Sequence, residues 1–208
     1  MSFSEYHESL WQTVPVGLQP QHLALRLAFL LKRVGSGERV LDVGCGEGHF
    51  ACELAVMGTE VVGIDVAREP LRRAHLRDPD LDVRLVSPAG QWPVRDASFD
   101  VVWAGEVIEH VQDTAAWLSE VRRVLRPGGR LLLSTPAHSL LRRLALALSG
   151  RAFEAHFDPL SDHLRFYTAR SLSALLEDFG FSEIEIKPAG ASALARAVLL
   201  ASARRSRF

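Results

Sequence analysis

Arg39-Val40-Leu41-Asp42-Val43-Gly44-Cys45-Gly46-Glu47-Gly48 limits what this chain can become more than any other stretch. A short apolar run breaks into glycines at alternate positions, and a helical pattern starts directly behind them. That order reads as a strand, a tight loop and a helix. Glycine lacks Cβ, so three of them let a ligand press against bare main chain. A second run, Glu60-Val61-Val62-Gly63-Ile64-Asp65, closes on an acid roughly 20 residues after Gly44, from where a carboxylate can accept hydrogen bonds from a ribose diol. Strand-like runs at 40–43, 61–64, 83–86, 99–103 and 130–134 alternate with helical patterns over about 48–57, 67–76 and 113–125. Such alternation gives a parallel sheet covered by helices on both faces. Ligands of such sheets gather at the carboxyl ends of the strands. Gly44, Asp65, Glu106 and Pro136 all fall at such ends, so they should share one rim.

A dinucleotide fingerprint needs glycine at the sixth place of G-x-G-x-x-G. That place is His49, and the loop reads G-x-G-x-G, which excludes a dehydrogenase of that type. With Asp42 before the glycines and Asp65 after them, the sequence resembles the class I S-adenosylmethionine-dependent methyltransferases over about 40–181. The resemblance implies an α/β fold, a doubly wound, mostly parallel, seven-stranded-type sheet (Rossmann-like). It implies one domain over 1–208, with an N-terminal lid and helix in 1–35 and a substrate-side insert in 137–167. The implied cofactor is S-adenosyl-L-methionine. Main chain at Gly44, Cys45 and Gly46 would face its methionine part, with Asp42, Gly48 and Gly105 framing that site. Asp65 would take the ribose hydroxyls and Val66 would lie beside the adenine. Members often carry an aspartate after the third strand for the adenine amino group. Here Val86-Ser87-Pro88-Ala89-Gly90-Gln91-Trp92 has no acid, so Ser87 or backbone groups must substitute.

Glu106-Val107-Ile108-Glu109-His110 follows the fourth strand. In a helix, positions 106, 109 and 110 share a face, and two carboxylates so close repel unless something positive lies between them. A divalent metal is one solution, with His163 of Asp162-His163-Leu164-Arg165 as a further ligand. The pattern resembles two branches of the class, the ubiquinone-pathway O-methyltransferases and the small-RNA 3′-terminal 2′-O-methyltransferases. That likeness implies Mg or a similar ion held by Glu106, Glu109, His110 and His163. The plainer alternative has Glu106 capping a helix and His110 acting as general base or polar rim residue. His110 and Glu109 are the candidate catalytic pair; His156 competes with His163, and His138 reads as a pocket or surface residue. Such a cluster suits an oxygen nucleophile, which needs a base or metal. The expected acceptor is a hydroxyl of a small or lipid-like molecule, such as a catechol, quinol or diol. Two alternatives stay open: 2′-O-methylation of an RNA terminus, and a non-catalytic cofactor-binding regulatory subunit.

The 208 residues carry a formal net charge of −1, which gives no general pull toward nucleic acid, so a nucleic-acid partner is disfavoured. Only Cys45 and Cys52 occur, both near the loop, as expected of reduced cytosolic thiols. With no basic-then-apolar leader and no apolar run near ~20 residues, the expected location is cytoplasmic. Peripheral membrane contact through 139–153 is a further expectation. There Leu140, Leu141, Leu144, Leu148 and Ala152 can form one apolar face flanked by Arg142, Arg143 and Arg151. Arg204-Arg205-Ser206-Arg207 reads as a basic tail, drawn to anionic lipid or simply solvated. A helix over about 19–34 carries Leu23, Leu27, Leu30 and Leu31 as a core stripe. Upstream, Tyr6, His7 and Trp11 form either a lid or a frayed terminus. Near the C-terminus, 168–181 reads as a capped helix stopped at Gly180, and 182–187 as a strand. The alanine- and leucine-rich 191–205 reads as helix, which leaves the last strand of the sheet open.

Overall fold

The computed structural model describes residues 2–138, 140–158, 161–190 and 196–207. Its centre is a seven-stranded sheet. The strands are β1 (Arg39–Val43), β2 (Glu60–Asp65), β3 (Asp82–Leu85), β4 (Phe99–Gly105), β5 (Leu125–Pro136), β6 (Phe181–Gly190) and β7 (Arg196–Arg205). They lie in the order β3-β2-β1-β4-β5-β7-β6. Pairs among β1 to β5 are parallel, and β7 runs antiparallel to both β5 and β6. The winding reverses between β1 and β4, which puts the glycine loop at the switch point.

The helices are α1 (Phe3–Thr13), α2 (Leu23–Leu31), α3 (His49–Val56), α4 (Arg68–Arg77), α5 (Thr114–Val124), α6 (Leu140–Leu148), α7 (Gly150–His156) and α8 (Ala169–Asp178). Alternate residues of the central strands enter two separate cores. Leu41, Val102, Leu131 and Leu133 pack with Leu118, Val121, Leu172 and Leu176 of α5 and α8. Val40, Val101, Trp103 and Leu132 pack with Leu30, Phe50 and Leu54 of α2 and α3. Each large side chain buried this way contributes about 1.5–3 kcal/mol.

Several expectations need correcting. The segment 196–205 is strand, not helix, and 191–195 lies outside the described residues. Leu199, Ala201 and Ala203 enter one core while Val198 and Leu200 enter the other, so both faces are apolar and no polar alternation marks the strand. Arg204 and Arg205 belong to this strand rather than to a tail: Arg204 pairs with Glu183, and Arg205 donates to the Leu125 carbonyl. The first core helix is confined to α2, because His22 sits in the left-handed region at φ 54°. The insert forms two helices, broken at the Ser149 cap of α7, instead of one continuous apolar face. Ser139 lies outside the described residues. The fifth strand starts earlier than the run at 130–134, at Leu125, with a register break between Phe99↔Leu125 and Val101↔Arg130.

Candidate active site

A two-lobed trough runs along the carboxyl ends of the parallel strands. One lobe, about 300 Å³, is walled by Asp65, Val66, Ser87, Trp92, His110 and Asp162 among others. The other, about 390 Å³, is walled by Arg26, Asp42, Cys45, Gly46, Gly105 and His163 among others. Trp11, Val14, Gly44 and Glu106 line both, so the lobes meet between the glycine loop and the turn after β4.

Gly44 and Gly46 have φ of 67° and 53°, where a side chain is strained. A Cβ at Gly44 would lie 2.6 Å from Val107, and one at Gly46 3.2 Å from Trp11. Bare main chain there faces α1 and the 106–110 turn. Gly48 is left-handed too, at φ 75°, but it is absent from the walls of either lobe and packs tightly on Leu81 and Ala74. Asp65 accepts hydrogen bonds from the amides of Gly46 (3.1 Å) and Ala67 (3.0 Å). Burial nevertheless pushes its carboxyl up to about 6. Burial drives Asp42 further, to about 8, against the pull of Arg26, and its Oδ2 has no partner.

The segment 106–110 is a turn, not a helix. The Glu106 amide donates to the Ser134 carbonyl (2.9 Å), extending the sheet pairing by one residue. Glu106 then adopts φ 57°, a left-handed step that no α-helix contains. The turn still gathers chemistry. Glu109 is 1% exposed; its Oε2 accepts from Thr135 Oγ1 (2.9 Å), and its Oε1 is unbonded. Desolvation, reinforced by the Glu106 charge, pushes Glu109 up to about 8. The Glu109 carbonyl accepts from the amides of Leu164 (2.8 Å) and Arg165 (3.1 Å), which folds the 161–167 loop onto the turn. His110 Nδ1 lies 2.9 Å from the Asp162 carbonyl. A carbonyl only accepts, so Nδ1 donates to it, and in the neutral ring the lone pair is on Nε2. Ligand atoms of Glu109, His110 and His163 all lie within 4.8 Å of one another. Glu106 is outside that trio, although its Oε1 is also buried and unbonded. His156 turns elsewhere, its Nε2 3.1 Å from that of His138.

A family model described as a methyltransferase domain matches residues 18–186. The chain belongs to this methyltransferase family. Over 150 residues it is 39% identical to a probable S-adenosylmethionine-dependent methyltransferase of Mycolicibacterium smegmatis, covering 72% of this chain and 54% of that one. It is 35% identical to a ubiquinone biosynthesis O-methyltransferase of Xylella fastidiosa, covering 77% of this chain and 68% of the relative. Among solved structures, phosphoethanolamine N-methyltransferase 2 of Haemonchus contortus superposes with a TM-score of 0.77 at 18% identity, over 99% of this chain and 60% of that one. That likeness shows the fold, and the seven-stranded sheet expected of the class is present.

Two features of this methyltransferase domain escape its motifs. Arg26, read as part of a core helix, is 3% exposed and stacks over the rings of Phe50 (4.7 Å) and Trp103 (5.9 Å). Its guanidinium sits in the field of Glu106, Glu109 and Asp42, while burial pulls it below the usual arginine range. The signal was a single arginine within Leu23-Ala24-Leu25-Arg26-Leu27-Ala28-Phe29, spaced to share the face of Phe29 and Leu30. The second feature is how α1 closes the trough. His7 and Trp11 line it; Tyr6 is not among its walls. Arg73 donates to the Trp11 carbonyl (2.8 Å), the Val14 carbonyl (3.0 Å) and Glu47 (2.8 Å). Glu47 in turn accepts from the Gly17 amide (2.9 Å). The glutamate inside the glycine loop therefore ties the lid to the loop.

Proposed function

We propose that this domain transfers a methyl group from S-adenosylmethionine to a hydroxyl of a small or lipid-like acceptor such as a catechol, quinol or diol. The observation that carries the reading is the Glu109–His110–His163 trio, placed next to the junction where the two lobes meet. The donor would lie along the trough, across both lobes. Val66 and Ser87 face the adenine position, and Asp65 has lone pairs left for ribose hydroxyls. Arg26 can take the amino-acid carboxylate, and the unbonded oxygen of Asp42 the ammonium. When bound, the donor supplies a sulfonium methyl whose C–S electron pair leaves with sulfur. His110 Nε2 would take the proton of the acceptor hydroxyl, with the Asp162 carbonyl holding the ring through Nδ1. Alignment alone can lower the barrier by about 7–11 kcal/mol.

The donor set of one carboxylate and two imidazoles, with Glu109 Oε1 unbonded and buried, fits a divalent cation. Glu109, His110 and His163 would hold it, with the charge of Glu106 nearby; it would occupy the Nε2 lone pair of His110 and so replace that ring as the base, supplying acidification of the acceptor hydroxyl instead. The lipid-like acceptor draws support from the insert, where Leu144, Leu148, Phe153 and Phe157 are exposed beside Arg142, Arg143 and Arg151. Among the described residues no helix is long and apolar enough to cross a membrane.

Turnover of labelled donor with catechols and quinols tests the reading. Glu109→Gln should lower kcat by about 10²-fold or more, while donor affinity measured by calorimetry stays nearly unchanged. Activity that survives chelators removes the metal and leaves His110 as sole base. Donor binding without turnover of any hydroxyl acceptor contradicts the acceptor class.

A further inference from the structure

We infer that the N-terminal helix supplies the residue that positions the acceptor: His7 hydrogen-bonds, through Nε2, a second oxygen of the acceptor beside His110. The inference rests on the acceptor class proposed above. His7 lines the first lobe with His110 and Asp162, its ring edge-to-face with that of His110 at 6.2 Å between centroids. Its Nε2 is shielded from water and bonded to nothing. A polar atom buried without a partner is unfavourable, so such atoms in a ligand cleft mark where a ligand makes the bond.

The placement of His7 is built in. The ring packs against Phe3 at 4.3 Å and Tyr6 at 5.5 Å. Ser2 and Glu5 close a capping box on α1, and Glu8 accepts from the amides of Arg68 (2.6 Å) and Glu69 (3.2 Å) at the start of α4. That helix start has no cap of its own, so α1 provides it. His7 is therefore held over the lobe by contacts on both sides of it in the chain. Phe3, Leu10 and Val111 make the adjoining wall apolar, so a hydrogen bond there forms in a dry setting suited to a flat aromatic ring. The result is a two-point grip: one oxygen at His110 for the reaction, the other at His7 for register. Acceptors with two ring oxygens gain from it, and a simple phenol does not.

The test compares wild type with His7→Phe, which keeps the ring and loses the bond, and His7→Gln, which loses the ring and keeps a polar reach. The probes are catechol, hydroquinone and phenol. His7→Phe should raise KM for the better diphenol about tenfold, the worth of one desolvated hydrogen bond, and leave KM for phenol and the donor Kd within about twofold. His7→Gln should recover most of the loss. The proposal is overturned if His7→Phe leaves the diphenol KM unchanged, or raises the diphenol and phenol values alike. It is also overturned if Phe preserves activity and Gln does not, which would mark a packing role. Wild-type enzyme that binds donor but methylates neither diphenol overturns the acceptor class, and this inference with it.

Discussion

Arg26 concentrates the energetics of the trough in one side chain. A guanidinium removed from water is tolerated when charge and stacking compensate it, and here Glu106 and, once ionised, Asp42 and Glu109 provide the charge while Phe50 and Trp103 provide the rings. If it also grips the donor carboxylate, Arg26→Met should weaken donor binding by about 10–100-fold, equivalent to losing one charged hydrogen-bonded pair. Arg26→Lys should restore little, because the planar fork is lost. Calorimetry beside a denaturation curve separates this from simple destabilisation, and full donor affinity in a folded Met variant would contradict it. Arg26 was hard to see from sequence because hydrophobic periodicity treats a lone charge on an apolar face as noise. The glycines and Asp65 were easy for the opposite reason: left-handed backbone and a strand-end acid leave local marks. Gly48 shares the left-handed mark at φ 75° but serves the fold, packing on Leu81 and Ala74 at the start of α3.

Among the elements, α1 and the glycine loop are tied together through Arg73 and Glu47. Arg73 is 5% exposed and Glu47 3%, so their bond is a buried ion pair that also holds the last carbonyls of α1. Removing Arg73 strips two carbonyls at the end of α1 of their donor and leaves Glu47 with Arg77 at 3.6 Å. Arg73→Met should therefore loosen α1 and speed donor dissociation by tenfold or more, roughly the effect of 1.4 kcal/mol or above. Stopped-flow displacement measures it, and an unchanged off-rate would mean that α1 does not gate the trough. The strands β1 to β5 were legible because each is a short apolar run closed by glycine, acid or proline. Strand β7 was not, because alanine favours helix in isolation and a strand buried on both faces shows no alternation. The 106–110 segment misled for a different reason. Its spacing fits a helix face, but the Glu106 amide is already committed to β5, and the chain leaves β4 through a left-handed residue.

For the molecule as a whole, the trough is a store of buried acids whose charge is costly until a cationic ligand arrives. Asp42 and Glu109 are both pushed up to about 8 by burial. A carboxyl raised in the folded state adds stability below its unfolded pKa and loses it as pH rises through the folded value. The histidines His7, His138 and His163 are shifted down by burial, so they weaken the fold only below about pH 6.5. Between about pH 6.5 and 8.5 the acids alone act, and Tm of the ligand-free protein should fall across that window. Scanning calorimetry checks this, and a flat or rising Tm would contradict it. The donor carries a sulfonium charge, so its addition should flatten the slope. In the proposed pose the donor spans both lobes, with its methyl presented at the turn after β4. A crystal structure of the complex with S-adenosylhomocysteine decides this pose. Adenine is expected beside Val66 and Ser87, ribose on Asp65, carboxylate on Arg26, and sulfur between Gly44 and the Glu109–His110–His163 trio. A ligand lodged elsewhere, or reversed so that adenine lies at Arg26, would contradict it.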